Sequence, residues 1–211
     1  MSRCTPDDME ELAILQYECF PPAIRKTFMG CSTPLQADEI SRIAKHYAEG
    51  MRDDPNDIWM GVKDTETGRF ISGANWKLHV NGEGGKRSAE DAPAWLEGEE
   101  LENSKTIIAQ FASTRQRIMP GAFIHLHICF TDDKYRRRGA GAMMLQWGCD
   151  VADLLFIPGY IEASIEGNFL YKTYGFVDHE VIESGLGEEG MAMTRAANSR
   201  PLSGGKAAPP S

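Results

Sequence analysis

Ile128-Cys129-Phe130-Thr131-Asp132-Asp133-Lys134-Tyr135-Arg136-Arg137-Arg138-Gly139-Ala140-Gly141-Ala142-Met143-Met144-Leu145 is the stretch that decides how the rest of this 211-residue chain is read. An apolar strand ends, a basic loop follows, and small residues open a long helix. Gly139, Ala140, Gly141 and Ala142 allow close backbone approach, and the first turn of a helix presents N–H groups with no carbonyl partner. Lys134, Arg136, Arg137 and Arg138 place four positive charges within five residues of a chain whose net charge is −9. The stretch is therefore built as a cradle for an anion. A P-loop would need Gly-Lys-Ser/Thr, and none is present. A dinucleotide fingerprint needs G-x-G-x-x-G, and here Met144 stands at the last glycine. Glu162 follows at the distance of a ribose-binding acid, but the chain leaves no room for a second nucleotide-binding half, so an oxidoreductase is the weaker reading.

Outward from the cradle, period-two alternation in Phe123–Phe130 predicts His125, His127 and Cys129 on one face and Leu126, Ile128 and Phe130 on the other. Such a strand has core on one side and a titratable cleft on the other. A histidine titrates near pH 6.5, so His125 and His127 are candidate bases for an incoming ammonium. Downstream, the pattern predicts a helix over 139–155, strands over 160–164, 176–182 and 190–195, and a short helix over 167–174. Upstream, Thr5-Pro6-Asp7-Asp8 is a helix start, with Leu12, Leu15, Cys19 and Phe20 recurring until Pro21-Pro22. A second helix is predicted from Thr33-Pro34 to Met51, with Ile40, Ile43, Ala44 and Tyr47 on one stripe. Two strands over 58–63 and 69–80 flank the turn Asp64-Thr65-Glu66-Thr67-Gly68 and read as a hairpin. Residues 81–100, with six acidic against two basic side chains and four glycines, read as an irregular excursion pinned by Pro93-Ala94-Trp95-Leu96. A helix is predicted over 101–117, and 196–211 reads as a disordered tail.

Arg136-Arg137-Arg138-Gly139-Ala140-Gly141 resembles the R/Q-x-x-G-x-G/A signature of the GNAT superfamily of acyl-CoA-dependent N-acyltransferases. A second match lies at the right distance. Glu162-Ala163-Ser164-Ile165-Glu166-Gly167-Asn168-Phe169-Leu170-Tyr171-Lys172-Thr173-Tyr174-Gly175-Phe176 is similar to the family's N-x-x-A-x-x-L-Y-x-x-x-G-F segment, with Ser164 in place of Asn and Gly167 in place of Ala. The wording is most like that of small fungal members. The resemblance implies an α/β fold in one domain over 1–195: a central, mixed, mostly antiparallel twisted sheet of six to seven strands flanked by helices. Two parallel strands would splay apart to form the acetyl-CoA cleft. It implies that Arg136, Arg137, Arg138, Gly139, Ala140, Gly141 and Ala142 hold the pyrophosphate of coenzyme A, that Ile128, Cys129 and Phe130 meet the thioester arm, and that Ser164 and Tyr171 complete the cofactor site. Tyr171 would protonate the leaving thiolate. In the histone-acetylating branch a glutamate base lies on the central strand, and counting back from Gly139 puts His125 at about that position, or one residue away across a bulge.

The activity so implied is acetyl transfer from acetyl-CoA to a primary amine, of a small molecule first and of a protein lysine or N-terminus second. A regulatory protein that binds coenzyme A without catalysis is the third reading. Acidic residues in the 81–100 excursion would suit a cationic acceptor. The acidic balance argues against a nucleic-acid partner, and no stretch reaches the roughly 18–20 apolar residues of a membrane span. The five cysteines form no CxxC pair and suit free thiols in the cytoplasm, with the nucleus the other compartment open to the chain; no metal site is expected. A monomer or homodimer is expected.

Overall fold

Thr5 opens the molecule as its residue type dictates. Asp8 Oδ2 accepts from the Thr5 amide at 2.8 Å and from its hydroxyl at 2.9 Å, which starts a short turn leading into α1 (Met9–Cys19). The computed structural model describes residues 1–81, 92–183 and 189–197. The tip of the acidic excursion and the body of the C-terminal tail lie outside these residues.

After α1 come a short α2 (Pro22–Ile24) and then α3 (Ala37–Asp53). The α3 helix starts three residues beyond the predicted Thr33-Pro34 signal. The stronger cap is the box at Gln36 and Glu39, in which Glu39 Oε2 accepts from the Gln36 amide at 2.8 Å. The α4 helix (Gly98–Ile118), by contrast, begins earlier than predicted, so 98–100 belong to it and not to the excursion. The excursion's apolar anchor holds: Trp95 Nε1 donates to the Gly30 carbonyl at 2.7 Å.

Strands β1 (Ser2–Arg3), β2 (Asp57–Lys63), β3 (Phe70–His79), β4 (Phe123–Thr131), β5 (Gly159–Ala163), β6 (Val177–Ile182) and β7 (Gly190–Arg195) form one sheet in the order β1-β2-β3-β4-β5-β7-β6. Every neighbouring pair is antiparallel except β4–β5. The seven-stranded mixed sheet is the α/β architecture expected from the sequence. Helices α1, α3 and α4 cover one face. Helices α5 (Ala140–Leu155) and α6 (Ile165–Thr173) cover the other, where Met144, Leu145 and Cys149 pack with Trp76, Ile124, Leu126 and Tyr171. Buried Arg195 ties the two halves of this second layer, donating two hydrogen bonds to Asp153 of α5 at 2.8 and 2.7 Å and one to the Tyr174 carbonyl at 2.9 Å.

One irregularity corrects the sequence reading of β4. Asn75 pairs with Ile128 but Trp76 pairs with Leu126, so His127 is an extra residue in the β3–β4 ladder. A bulge of this kind switches the alternation. Leu126 packs toward α5, whereas Ile128 and Phe130 pack toward α1, and Cys129 now faces α5. The predicted alternation holds on each side of the bulge but changes faces across it, so Cys129 shares a face with Leu126, and Ile128 and Phe130 share one with His125.

Candidate active site

Strand β4 pairs with β5 only from Ile124↔Gly159 to Leu126↔Ile161, and then the two diverge. β4 runs on to Thr131 and β5 to Ala163, so the far ends enclose a gap in the sheet. That gap opens into a cleft of about 1400 Å³ bounded by His127–Thr131, the start of α5, the end of β5 and α6. Ile128, Cys129 and Phe130 line it, and among the described residues their backbone on the β5 side has no strand partner. A parallel pair that splays inside a sheet exposes main-chain donors and acceptors in an otherwise dry layer, which suits a ligand that carries amide groups.

The phosphate end of the cleft is the glycine-rich turn. Gly139 has φ +93°, a conformation that L side chains rarely adopt, and it caps α5. A side chain at Gly141 would meet Leu170 Cδ2 at 3.3 Å, so glycine there keeps α5 and α6 close across the cleft. The first helical bond runs from the Met143 amide to the Gly139 carbonyl, which leaves the amides of Ala140, Gly141 and Ala142 as the orphan donors of the first turn. Arg137 is also left-handed (φ 64°) and lines the cleft with Arg136, whose Nε lies 2.8 Å from Asp133. Arg138 is placed differently from Arg136 and Arg137. It does not line the cleft, and its guanidinium sits 5.2 Å over the Tyr135 ring. Ser164 lines the cleft, but its hydroxyl accepts from the Gly167 amide at 3.2 Å and so caps α6. The cradle's conformation, orphan amides and flanking guanidinium groups fit a pyrophosphate.

At the other end Tyr171 lies on the α5 side of the gap. Its ring rests on Gly167, where a Cβ would come within 2.9 Å of Cε2. Burial lifts the phenol above its ordinary value and keeps it as a neutral O–H donor. Burial also pushes the Cys129 thiol up to about 12, so it is no thiolate nucleophile.

The two histidines part company. His127, on the bulge, is exposed and lines the cleft; His125 is fully buried and does not. His125 Nε2 lies 3.0 Å from Glu162 Oε2. A carboxylate can only accept, so this nitrogen carries the hydrogen. On the other oxygen, Arg115 Nε of α4 donates to Glu162 Oε1 at 3.1 Å. Glu162 is the residue that sequence reasoning passed over as a site residue. The signal was available: a lone charge inside the apolar strand Tyr160-Ile161-Glu162-Ala163, where a carboxylate stays only if it is paired. Farther along the same face, Asp57 accepts from Asn75 Nδ2 at 2.5 Å and lies 3.5 Å from Lys77 Nζ, under a wall that includes Phe20, Phe28, Trp59, Trp95 and Phe111.

No protein-family model matches the chain. The sequence is 26% identical over 106 residues to a probable acyltransferase, SID5, of Ajellomyces capsulatus, which covers 48% of this chain and 69% of that protein. Among solved structures, a mosquito arylalkylamine N-acetyltransferase-like protein superposes with a TM-score of 0.65 at 14% identity, over 92% of this chain and 97% of its own. A histone acetyltransferase HPA2 and related acetyltransferase from Corynebacterium glutamicum superposes at 0.59 with 18% identity, over 96% and 99%. The chain has the GNAT fold. A GNAT-like decarboxylase solved with isobutyryl-CoA shares the fold too, at a TM-score of 0.54 and 11% identity over 92% and 97%, so within the GNAT fold the site and not the fold sets the chemistry.

Proposed function

We propose that the protein transfers the acetyl group of acetyl-CoA directly to a primary amine of a small molecule. The observation that carries this reading is the coincidence, in one cleft, of the splayed β4–β5 gap, the Gly139–Ala142 cradle and the neutral Tyr171 phenol. Arg136, Arg137 and the first-turn amides would hold the pyrophosphate. The freed backbone of Ile128–Phe130 would align the thioester, and Tyr171 would donate a proton to the departing sulfur. Acetyl-CoA supplies the activated acyl group, and every other task falls to the chain.

Support for a small acceptor comes from the aromatic side chains that line the cleft beyond the gap, which suit the apolar body of a compact amine. Acetylation of protein lysines or N-termini is the second reading. The test is release of free thiol from acetyl-CoA, screened against polyamines, arylamines, amino sugars, amino acids and histone peptides. Amine-dependent thiol release with a small amine and none with peptides is expected. Coenzyme A binding with no release for any acceptor would leave the non-catalytic reading in its place.

A further inference from the structure

We infer that Glu162 is the proton acceptor for the incoming ammonium, and that Arg115 and His125 are positioning residues that hold its carboxylate at the mouth of the gap. The inference rests on the acyltransferase reading and adds to it the base. Glu162 is the first residue of β5 beyond the last β4–β5 pair, so it stands where the strands part. It lies on the face covered by α4, with Arg115 and His125, whereas Tyr171 lies on the face covered by α5. A thioester carbonyl lodged in the gap would meet a proton acceptor on one side of the sheet and a proton donor on the other. Separate sites for acceptor and donor suit addition of an amine at the carbonyl carbon followed by departure of the sulfur, because the two proton transfers then do not compete for one group.

The carboxylate is fixed yet open. Its oxygens accept from Arg115 Nε and His125 Nε2, with the Tyr160 phenol a further donor beside them, and a carboxylate's two oxygens offer about four lone-pair sites in all. The side chain is 11% exposed and lines the cleft, whereas His125 is sealed from it. The groups around Glu162 are Arg115 from α4, His125 from β4, His79 from β3 and Tyr160 from its own strand. Burial raises its carboxyl above the ordinary range against the opposing pull of Arg115, which makes it a better proton acceptor than a solvated glutamate.

One N–H proton of the acceptor ammonium passes to Glu162, giving the free amine and a neutral carboxylic acid. The amine nitrogen forms a bond to the thioester carbonyl carbon, and the C–S bond breaks with its electron pair on sulfur. The thiolate takes the Tyr171 proton, the surplus proton on the new amide nitrogen restores the phenol, and Glu162 loses its proton to solvent. The products are the N-acetyl amine, coenzyme A and one proton.

The test compares Glu162→Gln and His127→Ala with the wild type, using the amine that the thiol-release screen identifies and isothermal calorimetry with coenzyme A. Glu162→Gln is expected to lower kcat about 100- to 1000-fold and to abolish the acid limb of the pH profile, with coenzyme A affinity unchanged. His127→Ala is expected to keep that limb. A second readout covers misfolding of the glutamine variant: in wild-type protein with 13C-labelled glutamate, the Glu162 carboxyl should titrate above the solvent-exposed glutamates. Glu162→Gln with wild-type kcat, loss of the limb in His127→Ala instead, or ordinary titration of Glu162 would each overturn the assignment. No coenzyme A binding by the wild type would overturn the acyltransferase reading and this one with it.

Discussion

Tyr171 and Gly167 act as one unit. In a helix, a side chain points back over the residue four positions earlier, so the Tyr171 ring lies on Gly167. An alanine there would put a Cβ 2.9 Å from Cε2, and a rigid aromatic ring escapes only by turning as a whole. Gly167→Ala should therefore lower kcat about tenfold, an order-of-magnitude loss expected from a misplaced proton donor. It should change stability by less than about 1 kcal/mol, because alanine's helix propensity offsets part of the clash. Tyr171→Phe is the reference: kcat should fall about 100-fold with coenzyme A affinity intact. Thermal melts beside steady-state kinetics separate the two effects, and a Gly167→Ala variant with normal kcat would detach the glycine from catalysis. The departure from the family pattern at Gly167 was visible in the sequence, but its partner was not, because spacing alone does not say where a ring comes to rest. The same limit hid Glu162: its strand and its charge were legible, whereas its partners Arg115 and His125 lie 47 and 37 residues away.

Among the elements, order and type were legible and faces were not. Capping residues, proline stops and alternation locate every major helix and strand to within a few residues, because these signals are local. The bulge at His127 is a property of the β3–β4 pair, and no single-strand pattern reveals it. It reassigns Ile128 and Phe130 to the α1 layer and turns Cys129 toward Tyr171's side, which is how a strand can be both core and cleft wall. The opposing layer tolerates little change. Gly148 of α5 lies flat on the Trp76 indole, and a Cβ would approach Cζ2 to 2.1 Å with a large ring that cannot retreat into a filled core. Gly148→Ala should destabilise the protein by about 1–3 kcal/mol through overpacking. Urea unfolding would show it as a lower midpoint at unchanged slope. A wild-type midpoint would mean that α5 slides freely on β3, and a cradle carried on such a helix would not be preorganised.

For the whole molecule, the question is how a chain of net charge −9 attracts a polyanion. Two fields compete. The global field repels, but it acts through solvent and decays over a Debye length of about 10 Å at 0.1 M salt. The local field of Arg136, Arg137 and the α5 amides acts at contact and inside the cleft, where screening is weaker. If contact terms dominate, added salt weakens coenzyme A binding; if the global repulsion dominated, salt would tighten it. The cradle geometry favours the first outcome, so the Kd for coenzyme A should rise several-fold as salt increases from low to high ionic strength. Charge reversal sharpens the test. Arg137→Glu, at the cleft wall, should weaken binding about tenfold, on the order of 1.4 kcal/mol, for one lost charge-assisted contact. Arg138→Glu carries the same change in net charge, yet it alters a guanidinium that stacks on the back of the loop's Tyr135 and does not itself line the cleft, so its effect should be several-fold smaller. Equal losses in the two variants would mean that coenzyme A senses only the summed charge of the loop and not the geometry that Gly139 and Arg137 build with their left-handed backbones.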